Sequence, residues 1–264
     1  MKRLVVVGGG RMGGALVGGL IRSGWAHSDE LAVVEPSPLA RAALAEAHPG
    51  VTVSETAVGA DSAVLAVKPV DAELGCRVIA ESGAARMLSI AAGVRISQLV
   101  AWVGPGIPVL RAMPNTPAVL GAGASALAGG TSVSDSDFEW AEGVLASLGV
   151  VARLDEQLLD AVTGLSGSGP AYVFLLAEAL IAAGVNEGIE LEVSRRLVVQ
   201  TLLGSARLLA ETGEAPEALR AAVTTKGGTT EAGIRVLVER GFRSMIPEAV
   251  AAATIRSSEL GGQD

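Results

Sequence analysis

Near the amino terminus, Gly8-Gly9-Gly10-Arg11-Met12-Gly13 fits the pattern G-x-G-x-x-G. It follows a short β-branched run, Leu4 to Val7, and opens a stretch suited to a helix, Arg11 to Ser23. In that setting each glycine has a physical task. Gly8 permits the tight turn, Gly10 lets backbone approach a pyrophosphate, and Gly13 lets helix pack closely on strand, with the first helical amides aimed at the anion. Gly8, Gly10, Arg11, Met12 and Gly13 are therefore candidate positions for holding a dinucleotide. Glu35 ends the next strand-like run, roughly 20 residues on, where an acid meets ribose hydroxyls. A carboxylate there favours NAD, because it repels a 2′-phosphate. Ser37 and Arg41 follow, and either could bind that phosphate, so NADPH and NADH both stay open. Ala66-Val67-Lys68-Pro69 ends a further strand, at the edge of the sheet where such folds bind ligands.

Three later segments carry unusual chemistry. Met113-Pro114-Asn115-Thr116-Pro117 follows a strand-like run. Leu165-Ser166-Gly167-Ser168-Gly169-Pro170-Ala171-Tyr172 opens a helix. Val223-Thr224-Thr225-Lys226-Gly227-Gly228-Thr229-Thr230 joins two helices. This last stretch is dense in backbone amides and hydroxyls, holds no carboxylate, and lies where a helix should start near Thr229. Such an array suits an anionic carboxylate; a plain capped glycine turn would use the same residues.

The elements that must position these groups divide into two kinds. Up to about residue 155, short and nearly all-apolar runs alternate with helical stretches. The strand-like runs are Leu4 to Val7, Leu31 to Val34, Ala63 to Val67, Met87 to Ile90, Val109 to Ala112, Ala122 to Leu127 and Val150 to Arg153. Runs of this kind imply a largely parallel sheet covered on both faces. Pro38 to Ala47 reads as a helix, and Ser134 as the cap of another beginning at Asp135. Beyond residue 155 the pattern is helical throughout. Helices are expected from Pro170 to about Gly184, Glu192 to Thr212, Ala215 to Val223, Thr229 to Arg240 and Pro247 to Leu260. Pro170, Pro216 and Pro247 suit first turns, and Gly184, Gly188, Gly213 and Gly241 suit helix ends. The expected fold class is α/β: an N-terminal Rossmann-type dinucleotide-binding domain, residues 1–155, followed by an all-α C-terminal dimerisation domain, residues 156–264. The later helices are apolar on more than one face, as in Leu197-Val198-Val199, which calls for burial against a second subunit.

Composition narrows the partners. The 264 residues are 50% hydrophobic, which excludes disorder. A net charge of −8 repels phosphate backbones and anionic lipid, and 3% aromatic residues leave few platforms for bases, so neither nucleic acid nor membrane is expected. The single cysteine, Cys76, excludes a disulfide framework and a cysteine-based zinc site, and no cluster of metal ligands occurs. The longest apolar stretch, Ala171 to Val185, is broken by Glu178 and Gly184 and falls short of the roughly 20 residues of a bilayer span. A cytoplasmic protein is expected.

Taken together, Gly8 to Gly13, Ala66 to Pro69, Ser89 to Gly93, Met113 to Pro117, Gly164 to Tyr172 and Val223 to Gly233 resemble the pyrroline-5-carboxylate reductase family, over nearly the whole chain. The last of these segments is the most specific. The resemblance implies reduction of the cyclic imine 1-pyrroline-5-carboxylate to L-proline, the last step of proline biosynthesis, with NADPH or NADH as cofactor. It also implies a homodimer paired through the helical half, which some members extend to a ring of dimers. By position, it implies that Thr225, Gly228, Thr229 and Thr230 hold the substrate carboxylate. Thr230 would be the catalytic residue, with its hydroxyl near the ring nitrogen. Ala91, Ala92 and Asn115 would line the nicotinamide side, Ala66, Val67, Lys68 and Pro69 are expected on the cofactor side, and Ser168 would approach the substrate. Two positions depart from the family pattern. Lys226 stands where many relatives have proline, and Glu35-Pro36-Ser37-Pro38 lacks the adjacent basic residue of a firm NADP site.

The residue inventory agrees with an imine as substrate. A ketone reductase must protonate a developing alkoxide, usually through His, Lys or Tyr. The only histidines, His27 and His48, lie early and near expected helix ends, and the helix after Pro170 contains no lysine. A protonated imine already carries its proton. It needs orientation and a hydrogen-bond partner, which a threonine hydroxyl supplies.

Overall fold

The computed structural model describes residues 1–262, so positions 263–264 of the expected helical domain lie outside the described residues. Eight short strands make one sheet: β1 (Leu4–Val7), β2 (Leu31–Val34), β3 (Thr52–Ser54), β4 (Ala63–Leu65), β5 (Met87–Ser89), β6 (Val109–Met113), β7 (Gly123–Gly129) and β8 (Gly149–Arg153). Their order is β3-β2-β1-β4-β5-β6-β7-β8. Neighbours run parallel except β6 with β7. Five helices lie between strands: α1 (Arg11–Arg22), α2 (Pro38–Ala47), α3 (Ala72–Ser82), α4 (Ile96–Val103) and α5 (Asp135–Ala146).

The sheet is buried on both sides, which is why its strands read as continuous apolar runs. Leu4 and Val6 of β1 join one core with Leu16 and Leu20 of α1 and Leu145 of α5. Val5 and Val7, one residue out of phase, join a second core with Cys76 and Ile79 of α3 and Leu99 of α4. The Rossmann-type half expected from sequence is thus present. β3 was not foreseen: it has three half-buried residues at the sheet edge, too few to show a period. Nor was α4. It starts behind Arg95, a residue type that does not cap, and the Gln98 side chain accepts the Arg95 N–H at 2.9 Å instead.

The helical part comprises α6 (Leu159–Val162), α7 (Gly169–Asn186), α8 (Leu191–Thr212), α9 (Pro216–Ala222), α10 (Thr229–Glu239) and α11 (Phe242–Gly261). Between α6 and α7, residues Thr163–Gly167 form a wider π-type turn, in which the Ser168 N–H donates to the Thr163 carbonyl at 2.8 Å. Two expectations are corrected. Pro247 lies inside α11, which begins at Phe242. Gly184 lies inside α7, where a Cβ would come within 2.8 Å of Ser194 Oγ on α8, so its smallness serves helix packing.

Two compact units result. One is Met1–Ser168 with the segment from Ala251; the other is Gly169–Val250. The division falls later than residue 155 because Leu159 and Asp160 are buried in the first unit, where the Ser257 hydroxyl donates to Asp160 Oδ1 at 2.8 Å. In the second unit only Pro170 and Ser194 are buried, while Phe174, Leu175 and Leu197 are 61%, 65% and 56% exposed. The helical run Glu156–Asn186 spans 31 residues with a mean hydropathy of 1.6 over its most apolar stretch. Among the described residues it is long and apolar enough to cross a membrane, which corrects the shorter stretch read from sequence.

Ser134 and Asp137 start α5 reciprocally. Ser134 Oγ accepts the Asp137 N–H at 3.3 Å, and Asp137 Oδ2 accepts the Ser134 N–H at 3.0 Å. Burial pushes the Asp137 carboxyl up, but the Ser134 hydroxyl and N–H and the Arg86 guanidinium outweigh it and hold it below its ordinary value of 3.8. A depressed carboxyl stabilises the fold above its unfolded value, and that contribution is lost as pH falls through the folded value. In urea unfolding at neutral pH, Ser134→Ala should cost about 1 kcal/mol. The deficit of Asp137→Asn should shrink as the pH drops below about 4. Burial, helped by Glu73, pushes the Cys76 thiol up to about 11. Cys76 should therefore resist aromatic disulfide reagents at neutral pH until the chain unfolds.

Candidate active site

The turn from β1 into α1 is built from close backbone contacts. Gly8 has φ +105°, and a Cβ there would lie 2.6 Å from the Ala66 carbonyl oxygen. A Cβ on Gly13 would lie 2.0 Å from the Gly8 oxygen. Both glycines are required by the protein's own packing. Gly10 differs: it is exposed, and a Cβ there would meet no atom within 4 Å. Open space beside a glycine at the start of a helix fits a pyrophosphate approaching main-chain amides. Arg11 is exposed and Met12 half-buried at the same helix start.

The other candidate residues of the first unit follow the carboxyl ends of adjacent strands. Glu35 follows β2, where its Oε2 accepts the Gly9 N–H at 2.8 Å and its Oε1 accepts the Ser37 N–H at 2.9 Å. Ala66, Val67, Lys68 and Pro69 follow β4, the last two exposed. Ala91 and Ala92 follow β5; the Ala91 N–H donates to Ser89 Oγ at 3.3 Å, and Ala92 is exposed. Asn115 follows β6. Its Oδ1 accepts the Ala124 N–H at 2.9 Å, and its Nδ2 donates to the Ser166 carbonyl at 3.1 Å. Because β2, β1, β4, β5 and β6 are consecutive in the sheet, these segments share one edge, the place where open α/β sheets bind ligands.

A cleft of about 630 Å³ opens within the first unit, a volume typical of ligand pockets. It brings together Pro69, Ala92 and Ser168, and adds Trp102, Thr163 and Arg256. No local sequence signal marks the added residues, since they are gathered by packing. Ionic contacts also join distant segments of this unit. Arg111, 2% exposed, pairs with Glu156 Oε1 at 3.0 Å, and the Ile96 N–H donates to the same oxygen at 2.7 Å. Arg95 Nη2 lies 3.2 Å from Asp160 Oδ2, on the carboxylate that also receives the Ser257 hydroxyl.

In the second unit, Thr225 to Thr230 form the turn into α10. Gly227 has φ +75°, and the Gly228 N–H donates to the Thr225 carbonyl at 2.9 Å. A Cβ on Gly228 would lie 2.4 Å from Thr225 Oγ1, so this glycine shapes the turn. Thr225, Lys226, Thr229 and Thr230 are exposed. The stretch itself holds no carboxylate, but Glu231, one residue beyond it, reaches back and accepts the Gly227 N–H at 2.7 Å. The amides of Thr229 and Thr230 occupy the first helical positions, which have no partner within the helix.

Comparison with known proteins agrees with this arrangement. Residues 156–260 match the family model described as pyrroline-5-carboxylate reductase dimerisation, and residues 3–93 match one described as NADP oxidoreductase, coenzyme F420-dependent. A pyrroline-5-carboxylate reductase of Synechocystis sp. is 42% identical over 267 residues, covering 98% of each chain. The chain belongs to the pyrroline-5-carboxylate reductase family. A solved pyrroline-5-carboxylate reductase from Coxiella burnetii has a TM-score of 0.93 at 34% identity, covering 99% of both chains. The Plasmodium falciparum pyrroline carboxylate reductase, solved with NADP bound, has a TM-score of 0.85 at 29% identity, covering 99% of this chain and 98% of that one. As a member of the pyrroline-5-carboxylate reductase family, the protein is an NAD(P)-dependent oxidoreductase with a small-molecule substrate. It is a homo-oligomer.

The two kinds of glycine should separate experimentally. Gly13→Ala should lose both dinucleotide binding and about 2 kcal/mol or more of stability, because its Cβ collides with main chain. Gly10→Ala should leave the thermal midpoint nearly unchanged and weaken NAD(P)H binding about tenfold, since its side faces only ligand space. Thermal unfolding and fluorescence titration of the two variants check this.

Proposed function

We propose that this protein reduces 1-pyrroline-5-carboxylate to L-proline with NADPH or NADH, the last step of proline biosynthesis. The observation that carries the reading is the threonine-rich start of α10 in a chain that matches its reductase relatives end to end. Gly8, Gly10, Arg11, Met12 and Gly13 hold the cofactor diphosphate, and Glu35 and Ser37 face the adenosine ribose. Ala66, Val67, Lys68, Pro69, Ala91, Ala92 and Asn115 border the nicotinamide. Asn115 contributes by stapling the loop after β6 to Ala124 and Ser166. The reduced dinucleotide supplies the hydride that ends on the imine carbon.

The chain itself binds and orients. Thr225, Thr229 and Thr230, through hydroxyls and first-turn amides, grip the substrate carboxylate, and Gly228 keeps the turn open around Thr225. Ser168 approaches the ring from the π-type turn. The Thr230 hydroxyl bonds the ring nitrogen. A protonated imine brings its own proton, so no acid near neutrality is required. The histidines agree: His27 and His48 sit at helix termini in the first unit. The protein works as a cytoplasmic homodimer paired through its helical residues, with a ring of dimers as the larger assembly. Nucleic acid and membrane are not partners, since the net charge of −8 repels both phosphate backbones and anionic lipid.

Feeding the cyclic imine and following loss of reduced nicotinamide absorbance tests the activity. Thr230→Ala and Thr230→Val should lower kcat/KM about 10²–10³-fold, the effect of removing one well-placed donor. Thr230→Ser should retain most of the rate. Unchanged kcat/KM in both variants would remove Thr230 from the reaction. L-proline should inhibit far better than pyrrolidine, which lacks the carboxylate; equal inhibition would contradict the role of the α10 turn.

A further inference from the structure

We propose that this protein selects NADH over NADPH, with Glu35 as the specificity-determining residue and the Arg41–Glu55 pair withholding the neighbouring guanidinium from a 2′-phosphate. The inference rests on the dinucleotide-binding role of the first unit and concerns which dinucleotide that unit takes.

Glu35 is held in place. Its two carboxylate oxygens each accept one main-chain N–H, from Gly9 at 2.8 Å and Ser37 at 2.9 Å. A carboxylate oxygen has a second lone pair, so each retains capacity to accept a ribose hydroxyl. The Gly9 bond places this acceptor against the phosphate-binding loop, where the adenosine ribose of a bound dinucleotide lies. A 2′-phosphate in the same place brings up to two negative charges and no donor at neutral pH. It meets a fixed anion that can only accept.

NADP-binding sites of this fold meet the phosphate with a nearby basic side chain. Here the neighbouring guanidinium is already engaged. Arg41 Nη1 donates to the carbonyls of Glu35 at 2.9 Å and Pro36 at 2.7 Å, and Nη2 pairs with Glu55 Oε2 at 2.9 Å. The Arg41 side chain is 22% exposed, folded under the loop. The start of α2 offers little more. Pro38 has no N–H, the Ala40 N–H donates to Ser37 Oγ at 3.4 Å, and the Arg41 N–H donates to the Ser37 carbonyl at 2.9 Å. A phosphate must break several of these contacts to be held, while a 2′-hydroxyl breaks none.

Dissociation constants of NADH and NADPH, measured by nucleotide fluorescence on the whole protein without imine, test this directly. NADH should bind at least about tenfold tighter. Glu35→Gln should narrow the gap by tightening NADPH. Glu55→Gln, at a side chain 67% exposed, should also tighten NADPH by releasing Arg41, and should leave NADH unchanged. Equal or tighter binding of NADPH by the unmodified protein would overturn the proposal, as would an unaltered ratio in both variants. A protein that prefers NADH yet does not reduce the imine would uphold it and overturn only the substrate assignment. Failure to bind either dinucleotide would overturn both.

Discussion

The contact between Gly13 and the Gly8 carbonyl oxygen governs the geometry of the first unit. With no side chain on Gly13, the start of α1 closes on the end of β1; a Cβ would stand 2.0 Å from that oxygen. Gly8 in turn lies against the Ala66 carbonyl at the end of β4. Three chain segments thereby meet through backbone alone, which leaves the N-terminal amides of α1 facing outward beside Gly10. Parallel pairing then carries the register to the neighbouring strands. The loops that follow β1, β2, β4, β5 and β6 are thereby delivered to the same edge.

Around that edge, side chains fasten loops that lack regular structure. Asn115 uses both ends of its amide on main chain. Glu156 combines a buried guanidinium with the first amide of α4, and Asp160 combines Arg95 with Ser257. These pairs are far apart in sequence, and several are shielded from water. Shielding makes loss of one partner costly, because the other is left as an uncompensated charge.

The helical unit follows a different logic. Its helices hide almost nothing by themselves and depend on a second copy for burial. The start of α10 presents exposed threonines and first-turn amides that have no partner within the helix. Glu231 supplies a local anion to the Gly227 N–H, and Gly228 makes room for the Thr225 side chain. In the first unit, Glu35 is a carboxylate fixed by two main-chain N–H groups, and Arg41 is already paired with Glu55.

Much of this was legible in the residue string. Strands β1, β2 and β4 to β7 read as largely apolar runs because both sheet faces are covered there, whereas β8 is mostly exposed. The glycine loop shows because only glycine tolerates such backbone approach. The threonine-rich turn stands out as a cluster of short polar residues before a helix. What could not be read depends on contacts between distant segments. β3 is too short to carry a period, and α4 begins on a residue that does not cap. The unit boundary at Ser168, the return of α11 to Asp160, the reach of Glu231 and the double engagement of Asn115 carry no local mark. Period and backbone sterics act over a few neighbouring residues, so composition and spacing express them. Ion pairs and cleft walls exist only once packing has placed remote residues side by side, and that was decided by the tertiary structure.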